Sequence, residues 1–395
     1  MDIDVVMGEQ DEEQEDAQPD TSTSDPDEFF ATNAFRIVYQ TNNFFLPQIR
    51  DLIDKGEVLN LRPEYQRRLR WNSVQKSKLV ESLLLNIPVP PVFFYESNAA
   101  RYEVMDGQQR LNAIREFMAG DFALSGLSVL KPLNAIRYSH CPPRIKRALD
   151  RASLSAIVLL LESEPARVAG RLSLTDIRRF IFDRLNTGGT KLNPQEIRNA
   201  LNPGNFNKVI IDLTRNELFT KVFDIPPYVE TDPNDYYESP ARQGNLLYSS
   251  MGDCQLVLRY FALKDPTNIS GSMRAMLDRA MRVEITEQQA KILMTEYMER
   301  FSFLYELFLG HPFELPPDDK GRVRISAAVY DSSMVAANAL WTQHEAIASD
   351  AEGVRVRMAA ALADQERITV LTGAGNTARA VRERIALMQT ILRPE

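Results

Sequence analysis

The 395 residues are 44% hydrophobic and 25% charged, an ordinary globular composition in a chain long enough for two or three domains. Two cysteines, Cys141 and Cys254, exclude a disulfide framework, and apolar runs as short as 156–161 exclude a helical membrane span. The net charge of −8 hides a division: residues 1–30 hold 12 acids and no Lys or Arg, residues 31–225 hold 28 basic against 19 acidic side chains, and residues 226–395 hold 18 against 23.

Residues 1–30 combine Asp, Glu, Gln, Ser, Thr and Pro with few large apolar groups, so burial cannot offset chain entropy and the segment reads as a disordered acidic tail. It opens on acids and not on a basic-then-apolar leader, which argues against a secretory signal and, with the cysteine count, for a cytoplasmic protein. Residues 31–225 read as an α/β domain. A strand is expected over 36–39, and a short helix over 46–54 closed by Gly56. A second helix spans 72–86: Asn72 or Ser73 can cap it, Val74, Leu79, Leu83 and Leu84 lie near helical spacing, and Pro88, Pro90 and Pro91 end it. Strands at 92–95 and 102–105 form a hairpin, a helix follows at 111–118, and 154–161 reads as a buried strand.

From Leu174 onward the pattern turns helical, with helices at 176–185, 194–201 and 206–213. Residues 226–242, rich in Pro, Asp and Tyr, read as a long loop opening a helical domain, 226–395. Its helices are expected at 244–263, 273–283, 287–309, 325–341 and 376–392.

The basic stretch 31–225 suggests an anionic partner, a nucleotide or nucleic acid, although scattered arginines that only solvate the surface give the same balance. Within it, Asp106-Gly107-Gln108-Gln109-Arg110 sits where a strand turns into a helix. A helix start offers backbone N–H groups and a positive dipole end to an anion; Gly107 allows close approach, and Arg110 adds a fork matched to phosphate oxygens. Asp106 there suits a divalent cation or a water. The pentapeptide is equally compatible with a plain Asp-Gly turn ahead of an amphipathic helix.

Upstream, Tyr65, Gln66, Arg67, Arg68, Arg70 and Trp71 mix guanidinium forks with stacking surfaces, a combination suited to a nucleotide or a strand of nucleic acid. Trp71 taken alone reads better as an anchor for the following helix. The loop 186–190, containing Asn186, Gly188, Gly189 and Thr190, either completes a ligand pocket or simply ends a helix before Asn193 caps the next. It lacks the Lys-Ser/Thr of a Walker A loop. His140, His311 and His344 have no zinc-type spacing, so any metal is expected to be Mg²⁺ held by a carboxylate and substrate phosphates.

Taken in order, Pro63-x-Tyr65-Gln66-Arg67, Trp71, Leu79, Glu81-Ser82, Ile87-Pro88-x-Pro90-Pro91, the 106–110 pentapeptide and the stretch 182–199 (FDRLNTGGTKLNPQEIRN) resemble a known family. It is the N-terminal domain of GmrSD-type restriction proteins, long labelled domain of unknown function 262. The likeness is strong over roughly 40–220 and looser beyond, where it includes Tyr330-Asp331-Ser332 and 382–385. It implies a ParB/sulfiredoxin-like α/β fold followed by a mainly α-helical region. It also implies a bacterial defence protein that binds and hydrolyses a nucleoside triphosphate, coupled to DNA sensing. By motif, Asp106, Gln109 and Arg110 would be catalytic, with Mg²⁺ on Asp106. Gly107 and Gln108 would bind nucleotide, Tyr65, Gln66, Arg67 and Arg70 would line the pocket, and Asn186, Gly188, Gly189 and Thr190 would close it. The His-Asn-His nuclease segment of cleaving members has no counterpart in these residues, so DNA cutting would need a partner chain, or the protein does not cut at all. Three rivals remain: a nucleotide- or DNA-responsive module without turnover that regulates an effector, a ParB-like nuclease, and a purely structural assembly protein.

Overall fold

The structure, a computed structural model, describes residues 4–6, 38–55, 58–60, 71–98, 101–160, 181, 193–202, 204–228, 239–372 and 375–394. Contacts divide the chain into two compact units: 20–193, and a second made of 1–19 together with 194–395. Strand β1 (Asp4–Val6) belongs to the second.

The unit 20–193 contains β2 (Tyr39–Phe45), α1 (Leu46–Asp54), β3 (Leu59–Asn60), α2 (Ser73–Leu84), β4 (Val92–Asn98), β5 (Arg101–Asp106), α3 (Gln108–Ala119), α4 (Pro143–Arg151) and β6 (Ser153–Leu159). The strands form one mixed sheet in the order β2-β6-β4-β5-β3. Pairing is antiparallel at β2/β6 and β4/β5 and parallel at β6/β4 and β5/β3. Alternation along β6 sends Leu154, Ala156 and Val158 inward, where they meet Val92, Phe94 and Val104 and the buried faces of α2 and α3. Phe94 lies between Phe44 and Tyr102, with centroids at 6.2 and 6.3 Å.

Local chemistry sets the helix ends. Asn72 Oδ1 accepts from the Gln75 N–H at 3.0 Å, while Gln75 Oε1 accepts from the Asn72 N–H at 3.0 Å, a reciprocal capping box that starts α2. Gly120, at φ +87°, ends α3. One strand differs from expectation. β2 runs on from Tyr39 through Gln40, Thr41, Asn42 and Asn43, polar residues with no strand-like signal. The ladder to β6 holds this edge strand, whose outer side faces solvent.

The second unit is mainly helical: α5 (Pro194–Leu201), α6 (Asn205–Thr214), α7 (Glu217–Val222), α8 (Pro240–Gly244), α9 (Leu246–Ser249), α10 (Gly252–Leu263), α11 (Met273–Ala280) and α12 (Glu287–Leu307). Then follow β7 (Glu314–Leu315), β8 (Arg324–Ser326), α13 (Ala327–Ala339), α14 (His344–Ser349), α15 (Ala351–Ala363), α16 (Gln365–Thr372) and α17 (Ala378–Leu392). The α/β unit followed by a mostly helical region matches the expected fold class.

The compact units separate between Asn193 and Pro194, earlier than the 225/226 division read from the sequence. Aromatic packing accounts for the shift. Phe206 of α6 meets Phe261 of α10 at 5.4 Å, Phe219 of α7 meets Phe301 of α12 at 5.8 Å, and Phe223 stacks on Phe313 at 6.1 Å. The helix expected over 244–263 breaks at Met251, which takes the left-handed conformation at φ +56° ahead of α10. Within the segment read as a disordered tail, Asp4–Val6 pairs in parallel with Arg324–Ser326, on the opposite side of β8 from β7. Adjacent β-branched valines at 5 and 6 favour that extended backbone despite the acidic surroundings. Among the described residues no helix is long and apolar enough to cross a membrane.

Candidate functional site

The pentapeptide 106–110 forms the junction of β5 and α3. Asp106 is the last residue of β5, opposite Phe93 of β4, and Gly107 reverses the backbone at φ +98° before α3 begins at Gln108. A Cβ on residue 107 would stand 2.2 Å from Val92 Cγ1, so both dihedral and space require glycine there. The Leu111 N–H donates to Gly107 O at 2.9 Å and closes the first turn. The result is a strand end, a left-handed glycine and a helix N-terminus, a geometry that favours negative charge.

Arg110, one turn into α3, folds back over this junction. Its Nη2 donates to Asp106 Oδ2 at 2.6 Å, and its Nη1 donates to the carbonyls of Pro90 and, at 3.2 Å, Pro91. The Arg110 side chain is 14% exposed and that of Asp106 36%, so the carboxylate is the accessible member of the pair. The proline carbonyls precede β4, which ties the guanidinium to the sheet as well as to its own helix.

Gln109 turns the other way. It is 9% exposed, and its Oε1 accepts the Trp71 N–H at 3.1 Å. Gln108 is partly exposed at the helix start. Deeper in α3, Asn112 Nδ2 donates to Glu116 Oε1, and Lys76 Nζ of α2 lies 2.5 Å from Glu116 Oε2. Glu81 of α2 accepts the N–H groups of Val129 at 2.9 Å and Leu130 at 2.7 Å, and that of Ser128 at 3.4 Å. The Leu130 N–H above all holds the Glu81 carboxyl below its ordinary range, against the opposing effect of burial.

The structure therefore joins Asp106, Gly107, Gln108, Gln109 and Arg110 in one junction. Tyr65, Gln66, Arg67 and Arg70 lie outside the described residues, as do Asn186, Gly188, Gly189 and Thr190, and all but Ile181 of the helix expected at 176–185. Trp71, the end of the arginine-rich stretch, is the point where it meets the pentapeptide. The helical end of the second motif goes to packing. In α5, Gln195 Nε2 donates to Asn199 Oδ1 at 2.8 Å, Arg198 Nε donates to Asp278 Oδ1 at 2.7 Å, and Asn199 Nδ2 reaches Met251 Sδ at 3.5 Å.

Sequence reasoning gave no role to Asn112, Glu116 or Lys76. The i,i+4 spacing of Asn112 and Glu116 was the available signal, whereas Lys76 is 40 positions from its partner. Glu81 and the two prolines stood in the motif, but only their hydrogen bonds reveal what they hold. Among the described residues no group of three or more His, Cys, Asp or Glu is placed to hold a metal. Asp106 is a single, partly exposed carboxylate already paired with Arg110, a donor set that would suit Mg²⁺ only with phosphates and water completing its shell.

The sequence profile of the GmrSD restriction endonuclease N-terminal domain matches residues 49–202, which run from α1 through α5 and contain the whole junction. Comparison with curated proteins and with solved structures gives no match. Residues 49–202 of this chain are accordingly an N-terminal domain of the GmrSD restriction endonuclease family.

Proposed function

We propose that the 106–110 junction binds a nucleoside triphosphate and hydrolyses it, in a restriction-type protein that couples turnover to DNA sensed by the basic stretch 31–225. The observation that carries this reading is the arginine fork fixed at a helix N-terminus beside a partly exposed carboxylate. Arg110 would pair oxygens of the phosphate chain and offset negative charge as the terminal phosphoryl departs, with Arg67 as a second cation. Asp106 would orient the attacking water or hold Mg²⁺. When bound, that ion would supply charge neutralisation on the phosphates. Gln109, engaged with Trp71, would position the junction and not the reacting atoms. The chemistry would then rest on placement and electrostatics, without a covalent intermediate.

Phosphate release from purified protein, measured with and without DNA, tests the reading. Arg110→Ala should lower turnover by two orders of magnitude or more in a protein that still folds, the scale of a lost transition-state contact. Unchanged turnover would remove Arg110 from the chemistry. One observation favours a second reading, a nucleotide-responsive module without turnover: Arg110 has three acceptors within the chain itself. Tight nucleotide binding with no phosphate release would select it.

A further inference from the structure

Arg110 is the side chain the proposed function assigns to phosphate, and its Nη2 is already held by Asp106 Oδ2 at 2.6 Å. We infer that Asp106 is a built-in competitor for the polyphosphate: ligand entry is an exchange in which a phosphate oxygen takes the place of the Asp106 carboxylate on Arg110. This inference rests on the reading of the junction as a nucleotide site and adds how that site is gated.

Three features of the junction support an exchange over a permanent structural pair. The first is asymmetry of anchoring. Nη1 is fixed by the Pro90 and Pro91 carbonyls, so the fork stays in place when Nη2 changes partner. The second is asymmetry of exposure. Asp106 is 36% exposed against 14% for Arg110, so the carboxylate can turn to water while the guanidinium remains covered. A pair between a strand end and the following helix, with its carboxylate partly exposed, is a weaker contact than a buried one and open to exchange for a more highly charged anion. The third is position. Asp106 precedes the helix, so its charge lies at the same dipole end that would attract the phosphate and cancels part of that attraction.

The gate has a further consequence. Once displaced, the carboxylate and the incoming phosphate are two like charges a few ångströms apart. A metal-free polyphosphate therefore binds against repulsion, whereas a divalent cation shared between them removes it. Asp106 thereby makes the site selective for the metal complex over the free anion. The same side chain excludes ligand in one form and accepts it in another.

Calorimetric titration of wild-type protein and Asp106→Asn with inorganic tripolyphosphate, ATP and GTP tests this, each in EDTA and in excess Mg²⁺. Thermal midpoints verify that the variant is folded. In EDTA, Asp106→Asn should bind at least one of these probes about tenfold more tightly than wild type, because the competitor has lost its charge. Mg²⁺ should tighten wild-type binding and leave the variant nearly unchanged. If wild type binds the Mg²⁺ form and the variant binds the metal-free form no tighter than wild type does, the exchange is refuted while the nucleotide reading stands. If neither protein binds any probe in either condition, the exchange and the nucleotide reading fall together.

Discussion

The Trp71 backbone N–H donates to Gln109 Oε1 at 3.1 Å, a bond across 38 positions that joins the end of the arginine-rich stretch to the first turn of α3. Gln109 is nearly buried, so its loss leaves a donor without compensation from water. Gln109→Leu should lower stability by about 1–3 kcal/mol and speed hydrogen exchange at the Trp71 amide. Gln109→Glu, which keeps an acceptor, should restore most of that protection. Equal exchange in all three proteins would show that the bond does not hold Trp71 in solution.

Gly107→Ala is the most disruptive single-methyl change to expect at the junction. The backbone at φ +98° and the 2.2 Å approach to Val92 Cγ1 oppose a side chain independently. Together they should cost roughly 2–4 kcal/mol. Pairing the change with Val92→Ala should recover the steric part and leave the dihedral part. Chemical denaturation of the two single variants and the double variant measures the split.

Glu81 gives the α/β unit an acid-sensitive element. Its carboxyl pKa is lowered in the fold, so its contribution is present above the ordinary glutamate range, roughly 4.3, and is lost as pH falls through the lowered value. Glu81→Gln should therefore be less stable than wild type at neutral pH, with the difference shrinking toward zero in acid. Denaturant midpoints between pH 3 and pH 7 would show it, and a difference that grew in acid would contradict the sign.

In the helical unit, Arg259 Nε donates to Asp331 Oδ1 and Oδ2 at 3.0 and 2.8 Å, with both side chains 2% exposed. Burial lowers the pKa of the nearby Arg384, an effect that Asp331 opposes and Arg259 adds to. Asp331 thus pairs with Arg259 and reaches Arg384 only through its charge, since the Arg384 guanidinium donates to the Val370 and Gly375 carbonyls. Asp331→Asn should destabilise by about 3–5 kcal/mol, because it leaves the buried Arg259 guanidinium without its counter-charge, and Arg259→Met by a comparable amount. The double change Arg259→Met/Asp331→Leu should recover part of that loss. Calorimetric or denaturant unfolding of the three variants decides it.

Where local chemistry alone fixes an element, the sequence was sufficient. The helices at 46–54 and 194–201 have the expected bounds, Asn72 caps as read, and Gly107 and Gly120 turn the chain at the two ends of α3. The misses share a physical cause, dependence on a distant partner. Polar β2 is a strand because β6 lies beside it, and Glu81 is a loop anchor because 128–130 folds over it. The helices α14, α15 and α16 were not foreseen, since their buried side chains are few: Ile347, then Val354, Met358 and Ala361, then Leu371. At the junction the residue set was legible as a group, but not the partner of Arg110. The direction of the Arg110 side chain depends on which carbonyls lie within its reach, and those belong to Pro90 and Pro91, in the segment that leads into β4.

The pairing of β1 with β8 imposes a delay on folding. Asp4 is made well before its partner Arg324, which follows more than three hundred positions later. At 5–20 residues per second that delay is roughly 20–60 s. Throughout it the growing chain carries two valines whose strand partner has not yet been made. The acidic neighbours of those valines repel one another and other nascent chains during the wait, so the acidic tail would act as a safeguard against premature strand exchange.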